Sequence, residues 1–130
     1  MNEEITFVTG ATGFIGSHVV RRLLLRGDRV RVLARNSSPK SDIEAFGCEI
    51  VIGDLKDSMS LLRCIRGCSR VYHVAADYRL WARNPQEIYD NNVGGTRNLL
   101  SACCEAGVEK VVYTSSVGTI GMQRDGIPAD

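Results

Sequence analysis

Three glycines stand at steps of three in Thr9-Gly10-Ala11-Thr12-Gly13-Phe14-Ile15-Gly16. Glycine at this spacing lets a backbone turn tightly and come close to a bulky anion. A helix opening at the turn would add free N–H groups and the positive end of its dipole. Recognition of a diphosphate is the chemistry such a turn suits. The alternative reading is a bend built from small residues for packing alone.

Further residues fall where a dinucleotide held by that turn would need them. The end of a second strand meets the adenosine ribose, where a carboxylate selects a 2′-hydroxyl and an arginine accepts a 2′-phosphate. Here Ala34 is followed by Arg35, Asn36, Ser37 and Ser38, with no carboxylate among them. Arg35 can pair with a phosphate through two charge-assisted hydrogen bonds, so NADP is the expected cofactor and NAD the alternative. A solvated arginine in a polar loop is the competing reading. Asp54 could accept a hydrogen bond from an adenine amino group with Leu55 packed beside it, or it could cap the next helix. Ala75 and Ala76 leave room for a cofactor ribose, or simply pack closely. Ser115 and Ser116 offer hydroxyls that could hold a carbonyl or alcohol, or they open a serine-rich loop. Asn91, Asn92, Gly94 and Gly95 are poor helix formers inside a helical stretch. They point to a close neighbour and to hydrogen bonds with a loop, or to a polar surface pair. His18 and His73 are read as packed residues without catalytic work.

These side chains need a frame, and apolar periodicity supplies one. Strands are predicted at 5–8, 28–34, 49–52, 71–74 and 110–114. Helices are predicted at 14–26, 41–46, 58–65 and 85–106. The second of these stops at Gly47, and the third begins at Asp57 or Ser58 and has Gly67 past its end. The last opens with Asn84 as cap and Pro85 in its first turn, and ends at Gly107. Its apolar or small members, Ile88, Tyr89, Val93, Thr96, Leu99, Leu100 and Cys103, form a stripe. Strands alternating with helices make an α/β fold, a Rossmann-type doubly wound parallel sheet. The expected strand order is 3-2-1-4-5, with the ligand across the carboxyl ends at the switch between the first and fourth strands. Residues 117–130 read as polar and irregular.

Composition narrows the remaining choices. At 130 residues the chain is one domain, and its net charge of +1 implies no nucleic-acid affinity. No apolar run is long enough for a membrane span. The N-terminal Met-Asn-Glu-Glu lacks the regions of a signal peptide, so a cytoplasmic protein is expected. Five cysteines, Cys48, Cys64, Cys68, Cys103 and Cys104, are odd in number. Cys64 and Cys68 lie four apart on an expected helix, with no histidine following at zinc-finger spacing. Free thiols and no metal site are expected.

Taken together, the glycine turn, Gly53-Asp54-Leu55, His73-Val74-Ala75-Ala76, Asp90-Asn91-Asn92-Val93-Gly94-Gly95-Thr96 and Tyr113-Thr114-Ser115-Ser116 resemble successive motifs of the extended short-chain dehydrogenase/reductases, the NAD-dependent epimerase/dehydratase family. The run Ala75-Ala76-Asp77-Tyr78-Arg79-Leu80-Trp81 is similar to the hopanoid-associated sugar epimerase branch, often labelled dihydroflavonol reductase-like. The resemblance implies hydride transfer between a nicotinamide and a carbonyl or alcohol carbon of a small-molecule substrate. It puts Phe14 and Ile15 along the pyrophosphate, with Thr12 among the cofactor-binding residues of the same turn. It puts Ala75, Ala76, Tyr78 and Asn91 on the path to the nicotinamide ribose. Ser116, five residues before Gly121, matches the family's catalytic serine, and Ser115 its cofactor-side neighbour. It also implies a homodimer through the 85–106 helix.

The family's Tyr-x-x-x-Lys pair is missing, since Tyr72, Tyr78, Tyr89 and Tyr113 are followed four residues on by Ala76, Ala82, Val93 and Val117. In the family that tyrosine is the general acid/base, its pKa lowered by the lysine and the cofactor's charge. The expectation is an NAD(P)-binding Rossmann domain over 1–130 that is incomplete relative to the family. No substrate domain and no turnover are expected, and the fifth strand is left as a bare edge. The alternative is a stand-alone NADP(H)-binding or sensing module.

Overall fold

The computed structural model describes residues 4–123 and 126–128. Five strands, β1 (Ile5–Thr9), β2 (Arg29–Ala34), β3 (Glu49–Ile52), β4 (Cys68–His73) and β5 (Lys110–Tyr113), form one sheet in the order β3-β2-β1-β4-β5. Every neighbouring pair is parallel. The predicted strand order is the observed one.

Side chains along the central strand alternate between two cores, as the pleat requires. Phe7 points to one face and packs with Leu61, Ile65, Val71, Leu99 and Cys103. Val8 points to the other, among Val20, Leu23, Val32 and Ile43. The first face is covered by α3 (Ser58–Ile65) and α5 (Gly95–Ala106), the second by α1 (Phe14–Leu25) and α2 (Ser41–Glu44). Burial of side chains such as Phe7, Leu61 and Leu99, none of them exposed, contributes about 1.5–3 kcal/mol each and fixes the stacking of helices on the sheet.

Several boundaries depart from the sequence reading. The helix at 41–46 ends as α2 at Glu44, and its last residues become a turn closed by Gly47 at φ +69°. β4 begins three residues early, because Cys68 and Arg70 pair with Ile5 and Thr6 across a register shift. Arg70 is satisfied there by an ion pair with Glu4, so a charged residue is accommodated in a strand. Cys64 and Cys68 therefore do not share a helix: one lies on α3, the other on β4. All five cysteines are free thiols.

The largest departure is the long helix. It opens as expected, with Asn84 capping Gln86 and Pro85 in the first turn of α4 (Pro85–Tyr89). A π-helical turn, Asp90–Gly94, then separates α4 from α5. Of the predicted stripe, Leu99 and Cys103 are buried, whereas Tyr89, Val93 and Leu100 are exposed. Ser116 and the residues after it form a short 3₁₀ turn (Val117–Thr119) and irregular backbone. The rest of the segment predicted as irregular, residues 124, 125, 129 and 130, lies outside the described residues, as do residues 1–3 of the acidic N-terminus. Among the described residues no helix is long and apolar enough to cross a membrane, and no group of three or more His, Cys, Asp or Glu is placed to hold a metal ion.

Candidate functional site

A cleft of about 910 Å³ opens over the carboxyl ends of the strands, where β1 and β4 part. Its floor is the glycine turn. Gly10 stands at φ +74°, and a Cβ there would lie 2.6 Å from the amide nitrogen of Ala75. Only glycine lets the turn press this closely against the chain leaving β4. A Cβ on Gly16 would lie 1.9 Å from the carbonyl oxygen of Gly10, so helix and turn also touch backbone to backbone. α1 starts at Gly13 without a capping side chain and without an acidic residue in its first turn. By contrast, α3 is capped by Asp57 and α4 by Asn84. The first amides of α1 thus keep their donors and dipole for an anion in the cleft. A diphosphate fits this cradle.

One wall comes from the ends of β2 and β3. Arg35 is exposed at the rim and Ser38 lines the cleft beside it. The loop is closed by Ser38 Oγ accepting from the Arg35 amide at 3.2 Å and by the Ser38 amide donating to the Arg35 carbonyl at 3.0 Å. Lys40 Nζ donates to the carbonyls of Asn36 and Ser38. Asp54 and Leu55 also line this wall. Asp54 does not cap α3, which is the work of Asp57 on the amides of Met59 and Ser60 at 3.1 Å. Asp54 Oδ1 accepts from the Lys56 amide at 2.9 Å, a local turn that fixes the carboxylate at the cleft edge.

The opposite wall is the segment after β4. Val74, Ala75, Ala76, Asp77, Tyr78 and Arg79 line it. Asp77 is its anchor. Asn92 brackets the Asp77 backbone, accepting from its amide and donating to its carbonyl, both at 2.7 Å. The Asp77 carboxylate takes Arg79 Nε at 2.8 Å and Nη2 at 2.6 Å, and Asn91 Nδ2 at 2.9 Å. Arg79 above all, then Asn91, holds that carboxyl far below the usual carboxylate range, and Asp77 raises Arg79 in return. Both asparagines lie in the π turn and face this one loop residue. Gly95 lets α5 approach Leu55, whose Cβ would stand 3.0 Å from an added Cβ. The two asparagines and one of the two glycines therefore do have the close neighbours that their poor helix propensity suggested.

Of the residues expected at the site, Gly10, Thr12, Gly13, Phe14, Ile15, Gly16, Arg35, Asp54, Leu55, Ala75, Ala76, Tyr78 and Asn91 line this single cleft. Ser115 and Ser116 do not; Thr114 marks its edge at the end of β5. Ser116 is exposed, and its Oγ accepts from the Gly118 amide at 3.1 Å. The sequence reading missed Asp77, Arg79, Ser38 and Leu33 as cleft residues. Opposite charges two apart in Asp77 and Arg79, just past a strand end, were the available signal. His18, read from the sequence as packed, is instead exposed on α1 and meets the Phe14 ring edge-on at 4.9 Å. His73 is buried, paired with Thr9 and Thr96, and stacked on Tyr113.

A parallel sheet in this order, with a glycine turn at its switch point, defines a Rossmann-type fold. The family model described as NAD dependent epimerase/dehydratase family matches residues 6–130, and the chain belongs to that family. It is 46% identical over 124 residues to the "Putative dihydroflavonol 4-reductase" of Synechocystis sp. (strain ATCC 27184 / PCC 6803 / Kazusa), covering 95% of this chain and 36% of that protein. Among solved structures, that of gox2253 is 49% identical with a TM-score of 0.87, covering 96% of this chain and 38% of the other. The UDP-glucose-4-epimerase (galE) from Stenotrophomonas maltophila, with bound NAD and formylated UDP-arabinopyranose, is 28% identical with a TM-score of 0.82, covering 93% and 39%. The chain thus spans somewhat over a third of the length of these relatives.

Proposed function

We propose that this chain is the NADP(H)-binding portion of an extended short-chain oxidoreductase or epimerase, partial over residues 1–130. The observation that carries the reading is the convergence of an uncapped α1, the Arg35–Ser38 rim and Asp54 on one cleft. In this reading the first-turn amides of α1 hold the diphosphate, with Phe14 and Ile15 alongside. Arg35 and Ser38 take the 2′-phosphate, and Asp54 with Leu55 takes adenine. Ala75, Ala76, Tyr78 and Asn91 line the nicotinamide side, and Ser115 follows at its far end. The bound cofactor supplies hydride exchange with a carbonyl or alcohol carbon. Ser116 is assigned the substrate hydroxyl or carbonyl, and the proton-transferring tyrosine and lysine are assigned to a longer chain.

Fluorescence titration with NADPH and NADH tests this directly. Tighter binding of NADPH is expected, and Arg35→Asp should reverse the order. Equal affinities would remove the NADP preference, and no binding of either would remove the reading. We also propose a homodimer through the outer face of the π turn and α5, where Val93 and Leu100 are exposed side by side with Arg97, Cys104 and Glu105.

A further inference from the structure

The β1 and β4 strands pair up to Thr9 and His73 and then diverge, one into the glycine turn and the other into the cleft wall. Divergence strands the amides of Val74 and Ala75, which no longer face a partner strand. Thr9 Oγ1 accepts from both, at 3.2 Å each. A hydroxyl has two acceptor sites and one proton. With both acceptor sites taken, the Thr9 proton goes to His73 Nδ1, 2.7 Å away. Nδ1 is therefore an acceptor, and His73 carries its proton on Nε2. That proton points at Thr96 Oγ1, 2.8 Å away in the first turn of α5.

The chain of contacts runs further. Thr96 follows Gly95, the residue that seats Leu55, and Asn98 Nδ2 donates to the Leu55 carbonyl at 2.9 Å. Asn91 and Asn92 of the π turn, just before α5, hold Asp77. α5 backs the Leu55 wall through Gly95 and Asn98, the turn before it backs the Asp77 wall, and His73 ties Thr96, at the junction of the two, to the turn at the floor. His73 is 1% exposed and does not line the cleft itself.

We propose that His73 is a positioning residue for the dinucleotide. As a neutral Nε2–H strut between Thr9 and Thr96, it fixes the glycine turn and the Ala75 segment, in contact with each other at Gly10, against α5, so that both face the diphosphate and ribose in one geometry. This rests on the NADP(H) reading above. The strut acts at the diphosphate end of the cleft and leaves the Arg35 rim on the far side of β1 untouched.

The test uses the 130-residue chain and three variants. Thr96→Val and His73→Asn each cut the link to α5, and Thr96→Ser keeps it. Each is titrated with NADPH and, separately, with adenosine 2′-monophosphate, which reaches the Arg35 and Asp54 end but has no diphosphate. Loss of the strut should weaken NADPH about tenfold, the equivalent of one ordinary hydrogen bond. Adenosine 2′-monophosphate, which meets α5 only through the Leu55 wall, should lose less affinity than NADPH, and Thr96→Ser should restore NADPH binding. Parent-like NADPH affinity in Thr96→Val and His73→Asn would overturn the proposal, as would equal losses for both ligands, which mark general damage. A parent that binds no NADPH would instead overturn the reading on which the proposal rests. Should the variants not fold, ¹⁵N spectra of the unaltered protein decide: protonated Nε2 with bare Nδ1 supports the strut, and the reverse refutes it.

Discussion

Gly13→Ala and Gly16→Ala look alike on paper, yet the geometry separates them. Gly13 lies at φ −88° and ψ 173°, backbone that any residue adopts. A Cβ there would meet only the Gly10 carbonyl oxygen, at 3.4 Å. Folding stability should change by under about 1 kcal/mol, the scale of swapping one N-cap residue that makes no side-chain bond for another. A Cβ on Gly16 would stand 1.9 Å from the same oxygen. A comfortable C···O contact needs about 3.3 Å, so helix and turn must separate by about 1.4 Å. Gly10 cannot retreat, because the Ala75 backbone lies against its other side. Overpacking of this kind costs about 3 kcal/mol. For a chain of this size that lowers the melting temperature by roughly 10 °C. Binding tells the other half. The added methyl of Gly13→Ala sits at the mouth of α1, where the diphosphate would approach the amides. NADPH affinity should fall at least about tenfold, from one lost or lengthened charge-assisted hydrogen bond. Thermal unfolding followed by circular dichroism, paired with NADPH fluorescence titration, reads both. Gly16→Ala melting with the parent would refute the close approach, and Gly13→Ala binding NADPH like the parent would refute the cradle.

Further tests follow from single groups. The Thr6 hydroxyl is fully buried with no hydrogen-bond partner, so Thr6→Val should raise the urea midpoint by the equivalent of about 1 kcal/mol; a lower midpoint would mean that the hydroxyl is satisfied. Burial pushes His73 down from 6.5 to about 4. Between those values the unfolded chain holds the extra proton, so stability should fall as pH drops from 6.5 towards 4, by about 1.4 kcal/mol per pH unit. Urea titrations at pH 5.0, 6.0 and 7.0 (roughly spanning the window) check this, and a flat profile from this group, unchanged in His73→Asn, would exclude a neutral buried ring. Leu100→Glu on the outer face of α5 should shift sedimentation from dimer to monomer, and identical sedimentation of parent and variant would dismiss that interface.

Much of the frame was legible because local signals agreed with one another. Asn84 and Pro85 announce a helix start, Gly107 at φ +72° a helix end, and Gly10 a turn. Each is a backbone property carried by one residue type. The sheet order followed from alternation of strands and helices, a rule about connections that needs no side-chain detail. β4 was trimmed because Ser69 and Arg70 break its apolar run. Their place in the strand depends on Ile5, Thr6 and Glu4, sixty-odd residues away in the chain. No local window contains those partners.

The site divides along the same line. Gly10, Gly13 and Gly16 were readable because what matters there is the absence of a side chain. Arg35 was readable because a strand end has a known place in such a sheet. The anchor at Asp77 was not, because it depends on a π turn. Both asparagines lie in that turn, where Asn91 reaches the Asp77 carboxylate and Asn92 the Asp77 backbone. A π turn has no composition of its own. In this chain its side-chain partner, Asp77, lies outside the helix and well before it in the sequence, so the turn and its anchor are not read together from local residues. Asp77→Ala should accordingly return Asp90–Gly94 to a regular α-helical ladder. Couplings measured across backbone hydrogen bonds would move the Gly95 amide from the Asp90 carbonyl to that of Asn91, and an unmoved bond would show that the helix holds its π turn without the loop.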